Sequence, residues 1–93
     1  MNKKELVAQI AQDASLTRAQ AARALDAFLK GIEGTLVHGG RVTISGFGTF
    51  GVLDRKARRV LNPRNGSTME IAAKRVPRFA PGTDLKSVVS RNR

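Results

Sequence analysis

The chain has no cysteine, no tryptophan, no tyrosine and a single histidine in 93 residues. Without cysteine, neither a disulfide framework nor a thiolate metal site can form. One histidine, His38, cannot supply the ligand set of a zinc site built from His and Cys, so no metal and no cofactor is expected. A domain this short buries little of its surface and usually leans on disulfides, a metal or a partner chain. With the first two excluded, the partner chain remains. The four phenylalanines read as core residues, which leaves no aromatic platform for stacking unpaired bases. No apolar run approaches the roughly 18 residues that span a bilayer. The opening Met1-Asn2-Lys3-Lys4-Glu5 has no apolar signal segment, so a cytoplasmic protein is expected.

Acidic residues are also scarce, 7 against 17 Lys and Arg, for a net charge of +10. Residues 1–54 carry six cations and five anions, a net of +1, whereas residues 55–93 carry eleven cations and only Glu70 and Asp84, a net of +9. One half is nearly neutral and the other is a cationic surface, which points to a polyanionic partner. A membrane surface would call for basic amphipathic helices. Here the helical half is the neutral half, so no membrane partner is expected.

Several local patterns fix the elements. Asn2 followed by Glu5 starts a helix, and Leu6, Val7, Ile10, Ala11 and Ala14 continue it at helical spacing. Thr17-x-x-Gln20 is a capping box with Leu16 placed to staple onto Ala21. Ala21, Leu25, Phe28, Leu29, Ile32 and Leu36 then mark one apolar face, and Gly39-Gly40 ends the helix. From Val42 the period becomes two: Val42 and Ile44, then Phe50 and Val52, alternate with small or polar residues. Gly46-Phe47-Gly48 reads as a tight turn around a buried aromatic. Val76 and Phe79 resume the core, Pro81-Gly82 breaks the chain, and Thr83-Asp84 opens a short helix carrying Leu85, Val88 and Val89, with residues 91–93 fraying.

Residues 55–74 hold β-friendly Val60, Leu61, Met69 and Ile71 around an Asn65-Gly66 turn signal, but too few large apolar side chains to pack on anything. They are expected to project as a two-stranded arm bearing Arg55, Lys56, Arg58, Arg59 and Arg64, with Lys74 and Arg75 at its base. Pro63, near the tip, has two readings: a rigid wedge between base pairs, or a turn-forming proline beside Asn62 and Asn65. The fold class is therefore α+β: two amino-terminal helices, a three-stranded antiparallel sheet with a long protruding β-hairpin arm, and a short carboxy-terminal helix. Residues 1–93 form one domain, with a dimerisation body of residues 1–54 and 75–93 and a basic arm of residues 55–74. The hydrophobes Phe28, Leu29, Ile32, Leu36, Val42, Ile44, Phe47, Phe50 and Phe79 are many for so thin a body, so an intertwined homodimer is expected to bury them.

Gly46-Phe47-Gly48-Thr49-Phe50, Arg55, Arg58 and Asn62-Pro63-Arg64-Asn65-Gly66 together resemble the signature of the HU and integration host factor family. Val76-Pro77-x-Phe79, Pro81-Gly82 and Leu85-Lys86 continue the resemblance, which spans essentially the whole chain and is nearer to HU. It implies an obligate dimer whose two β-arms embrace duplex DNA through the minor groove. The unstacking wedge is a described property of this very family and is carried onto Pro63 with the resemblance. Phosphate or groove contacts carry over to Arg55 and Arg58, and contacts to flanking DNA to Lys3, Arg18 and Lys86.

The chain departs from the family at four positions. Val60 replaces a glycine, Leu61 stands where a basic residue is usual, Thr83 where lysine is often found, and Ala80 where a basic residue sometimes occurs. Arg59, on the same strand face as Leu61, could replace the lost cation, or Leu61 could add apolar contact beside the wedge. The implied function is a histone-like, nucleoid-associated protein that bends and compacts DNA with little sequence specificity, preferring kinked, nicked or gapped duplex. A site-specific bender of the integration host factor type is the alternative, favoured slightly by Ser45-Gly46. Pairing with a paralogue is an alternative to the homodimer, and RNA is a secondary partner. With no phosphate-loop lysine, nucleophile motif or carboxylate cluster, catalysis is not expected.

Overall fold

A computed structural model describes residues 1–91. Helix α1 spans Lys3–Asp13 and α2 spans Arg18–Val37. Strands β1 (Val42–Ile44), β2 (Gly48–Arg55), β3 (Arg58–Leu61), β4 (Thr68–Ile71) and β5 (Lys74–Pro81) follow, and α3 (Thr83–Arg91) ends the described chain. Contacts divide the chain into two compact units, residues 1–35 and residue 36 onward. No described helix is long and apolar enough to cross a membrane.

In the first unit the caps are those the sequence announces. Asn2 caps α1, its side chain accepting from the Glu5 N–H at 2.8 Å. Thr17 and Gln20 bond reciprocally: the Gln20 N–H donates to Thr17 Oγ1 at 3.1 Å and the Thr17 N–H donates to Gln20 Oε1 at 3.0 Å. Between the helices the chain reverses through Ser15, a non-glycine residue at φ 55°. The Leu16 N–H donates to the Ala11 carbonyl at 2.9 Å and the Ser15 N–H to the Gln12 carbonyl at 3.4 Å, closing the end of α1 as a Schellman motif. Ala11, Ala21 and Ile32 are the buried hydrophobic residues of this unit, whereas Phe28 and Leu29 stay 48% and 38% exposed.

In the second unit β1, β2 and β5 form an antiparallel sheet in the order β1-β2-β5, while β3 and β4 pair only with each other. Alternation sorts the sheet residues onto two faces. Val42 lies opposite Phe50, which lies opposite Phe79, and Val52 opposite Pro77; this is the aromatic face. The Phe79 ring sits 4.8 Å from Phe50 and 5.5 Å from Phe47, centroid to centroid. Gly48 permits this packing, since a Cβ there would fall 2.6 Å from the Ala80 carbonyl oxygen and 2.7 Å from the Phe79 ring.

Phe47 is 43% exposed and Phe79 42% in the single chain, the Phe47 ring lying against Phe79 beside the turn that begins at Gly46 (φ 80°). Two expectations are corrected. Val76 and Phe79 differ by an odd number of residues along β5 and so lie on opposite faces; Val76 pairs with Leu53, away from the phenylalanines. Arg91 belongs to the last turn of α3 rather than to a frayed end, where its charge complements the helix dipole. Asn92 and Arg93 lie outside the described residues.

Candidate nucleic-acid interface

The basic segment forms a ribbon because its strands satisfy each other's hydrogen bonds and little else. Arg58 lies opposite Ile71, Arg59 opposite Glu70, Val60 opposite Met69 and Leu61 opposite Thr68. The register is the one that runs through the sheet: the last sheet pair, Arg55 with Lys74, leads to the first ribbon pair, Arg58 with Ile71, without a slip. Only Lys56-Ala57 and Ala72-Ala73 fall out of strand geometry between them.

At the tip the turn is wider than a two-residue Asn-Gly hairpin. The Asn62 N–H donates to the Ser67 carbonyl at 2.7 Å and the Gly66 N–H to the Asn62 carbonyl at 2.8 Å, so the loop closes over residues 63–66. Two asparagine side chains hold it. Asn62 Oδ1 accepts from the Arg64 N–H at 2.9 Å, and Asn65 Oδ1 accepts from the Ser67 N–H and hydroxyl at 2.9 and 2.7 Å. Gly66, at φ 73°, supplies the left-handed step. Pro63, which has no N–H to satisfy, stands exposed at the end of this tied loop. Leu61, 67% exposed, lies just below it.

The cations meet different fates. Arg55 and Lys74 are cross-strand partners at the base of the ribbon, and Lys56, Arg58 and Arg64 are exposed along it. Arg59 shares a strand face with Leu61, as expected, but its Nε lies 3.4 Å from Glu70 Oε1, so part of its charge is already answered. Arg75 is committed to the protein: its Nε donates to Asp54 Oδ1 at 2.7 Å and its Nη1 to the Val37 carbonyl at 2.9 Å. That pairing holds the Asp54 carboxyl below its ordinary value and keeps the guanidinium charged. In the first unit, Lys3 pairs with Asp26 at 2.8 Å, hydrogen bonding and charge together lowering the pKa of Asp26, while Arg18 is exposed at the start of α2. Lys86 is exposed on α3.

Two exposed cations that the sequence did not single out, Arg41 and Arg78, lie on the sheet face opposite the phenylalanines. Their signal was available in the strand parity, since Arg78 shares a face with Lys74 but not with Arg75. No group of three or more His, Cys, Asp or Glu able to hold a metal occurs among the described residues.

A family model described as bacterial DNA-binding protein matches residues 1–90. The chain belongs to this family, and within it to the HU proteins. DNA-binding protein HU-beta of Pseudomonas fluorescens is 49% identical over 90 residues, which cover 97% of this chain and the whole of that protein. HU-alpha of Vibrio cholerae is 46% identical over 89 residues, 96% of this chain and 99% of its own. Among solved structures, the Anabaena HU–DNA cocrystal superposes with a TM-score of 0.85 at 43% identity, covering 97% of this chain and 98% of that one. HU from Thermotoga maritima gives 0.69 at 31% identity, with 96% and 98% covered. HU membership over essentially the full length accounts for the order of helices, sheet and basic ribbon described above.

Proposed function

We propose that this chain is a histone-like architectural protein that binds duplex DNA in the minor groove with paired ribbons, bending and compacting it with little sequence specificity. The observation that carries the reading is a ribbon that pairs only with itself, bears cations along its length, and ends in an exposed proline on a loop tied by two asparagines. A wedge at a base step costs a few kcal/mol of unstacking, offset by the contacts that bent DNA makes along the protein; this is the mechanism described for HU-type proteins themselves. Pro63 is the wedge. Asn62 and Asn65 keep the tip rigid, and Arg55, Lys56, Arg58, Arg59, Arg64 and Lys74 lie along phosphates. Arg75 acts from behind, fixing the base of the ribbon. Lys3, Arg18 and Lys86 meet flanking DNA. Residues 55–74 are the arm, and residues 1–54 with 75–93 are the dimerisation body.

The dimer follows from exposure. Phe28, Leu29, Phe47 and Phe79 are each between 38% and 48% accessible in the single chain, a large apolar area to leave in water. A second copy burying them gives the two-armed homodimer. That the named relatives are DNA-binding proteins and that one HU is seen in a cocrystal with DNA supports DNA as the partner. No catalytic step belongs to this reading.

The test is a titration of the purified protein against equal-length intact duplex, nicked or gapped duplex, single strand and duplex RNA at two salt concentrations. Tightest binding to the nicked or gapped duplex is expected. If the dimer neutralises about 8 phosphates, log K falls against log salt with a slope near −7. Equal binding to all four probes, or a slope shallower than about −3, would reduce the protein to a generic polycation.

A further inference from the structure

The sheet has a second face, and its chemistry is uniform. Opposite the phenylalanines, the ladder from β2 to β5 presents Thr49 with Ala80, Gly51 with Arg78, Leu53 with Val76 and Arg55 with Lys74. Thr43 continues the first row onto β1, its Oγ1 lying 3.2 Å from Thr49 Oγ1. Arg41, one residue before β1, continues the second row, since a Cβ on Gly51 would come within 3.9 Å of the Arg41 Cβ. Across three strands the row therefore reads Arg41, Gly51, Arg78: two arginines flanking a position with no side chain. The only acid in the three strands, Asp54, lies on the other face with Arg75. Arg41 and Arg78 are both exposed, and neither forms an ion pair among the described residues.

We infer that Arg41 and Arg78, with the bare backbone of Gly51 between them, form a phosphate-binding notch on the body of the protein, occupied by the backbone of duplex DNA. This deepens the proposed function and rests on it. Neighbouring strands stand about 4.8 Å apart, so the two arginine Cα atoms are about 10 Å apart. That gap suits one nucleic-acid strand, which carries a charge about every 3.4 Å along the axis. The missing side chain at Gly51 lets the strand settle between two guanidinium forks that favour phosphate. The face continues into Arg55 and Lys74 at the base of the ribbon, so duplex held by the ribbon passes over it. Thr43 and Thr49 add hydroxyl donors one row away. The notch restores body charge that Ala80 and Thr83 do not provide, two residues along β5 from Ala80 and on its face.

The test compares three variants of the full chain on intact and nicked duplex DNA of about 30 base pairs and on duplex RNA, each checked by circular dichroism and melting. Arg41→Gln/Arg78→Gln removes the forks. Gly51→Val fills the notch with both charges kept, on a strand where a β-branched residue is favoured and an added Cβ meets nothing closer than 3.9 Å. Arg23→Gln/Lys30→Gln removes the same net charge elsewhere. The double arginine variant is expected to bind DNA at least tenfold more weakly than the Arg23/Lys30 control, with the salt slope shallower by about 3 to 4 per dimer. Gly51→Val is expected to lose three- to tenfold in affinity while melting no lower than the parent. If Arg41→Gln/Arg78→Gln stays within twofold of its control, or Gly51→Val binds as the parent does, the notch is overturned. Loss confined to duplex RNA would overturn the assignment to DNA. A parent protein that does not prefer nicked duplex would instead refute the architectural reading, so the two failures are distinguishable.

Discussion

Arg75 stands directly opposite Asp54 in the β2–β5 ladder, and its guanidinium joins that carboxylate at 2.7 Å to the last carbonyl of α2, at Val37, at 2.9 Å. One side chain thereby ties the strand pair that becomes the ribbon to the end of a helix. A sequence scan counts Arg75 as one more cation of a basic run, whereas the geometry makes it a bracket. Arg75→Gln is expected to lower the melting temperature and broaden amide exchange in residues 53–57, while changing the salt slope of DNA binding by less than about 0.9 per protomer. A full-unit loss of slope with unchanged stability would return Arg75 to the phosphate contacts.

The same bracket predicts a pH dependence. Hydrogen bonding from Arg75 holds Asp54 below its ordinary value of 3.8, outweighing an opposing cost of desolvation, with the charge of Arg75 adding a smaller lowering. A carboxyl whose folded pKa is depressed contributes stability that is complete above the ordinary carboxylate range and lost as pH falls through the lowered value. Melting temperatures measured from pH 6 down to about pH 3 are expected to fall more steeply for the parent than for Asp54→Asn. Parallel curves would mean that the pair contributes nothing to folding.

Ser15 pays a local penalty, since its φ of 55° is one that side chains with a Cβ resist. Ser15→Gly relieves it at the cost of extra chain entropy, and the net expectation is a gain of about 0.5–1 kcal/mol, or roughly 3–6 °C in melting temperature. A lower melting temperature would show that the serine side chain stabilises the turn by more than the strain costs.

At the ribbon tip, Pro63→Ala keeps the loop, because Asn62 and Asn65 still hold it. Bend angle measured by energy transfer across a labelled intact duplex is expected to drop, while affinity for gapped duplex stays within about threefold. Equal bend angles for variant and parent would remove Pro63 as the wedge.

Leu61→Arg addresses the neighbouring departure. Arg59 lies beside Glu70, so a fresh cation at position 61 is expected to raise affinity for nicked duplex and steepen the salt slope by about 0.9 per arm. A drop in affinity would instead identify Leu61 as part of the apolar contact at the kink.

Much of the architecture was legible because it is local. Asn2, Thr17 with Gln20, and Gly39 carry their roles within four residues of themselves, and the change of period at Val42 separates helix from sheet. What was not legible is set by partners distant in sequence. Arg75 is 21 residues from Asp54 and 38 from Val37. The outer position of Val76 depends on strand parity counted from the ladder. Arg41 and Arg78 were passed over because cations were tallied by segment rather than by face. The width of the tip loop is set by the backbone and side chain of Asn62, outside the Asn65-Gly66 turn signal itself.

The shared register of sheet and ribbon has a consequence for how such a protein can change over generations. Because Gly48 with Pro81 and Leu61 with Thr68 share one register across the break between sheet and ribbon, a single residue inserted into or deleted from β3 would turn every later side chain of that strand to the other side. Lengthening or shortening the ribbon without scrambling which residues face the groove requires matched changes on both strands, in steps of two. Divergence among descendants of this chain is therefore channelled into substitutions along the ribbon, such as those at Val60 and Leu61, while its reach stays quantised.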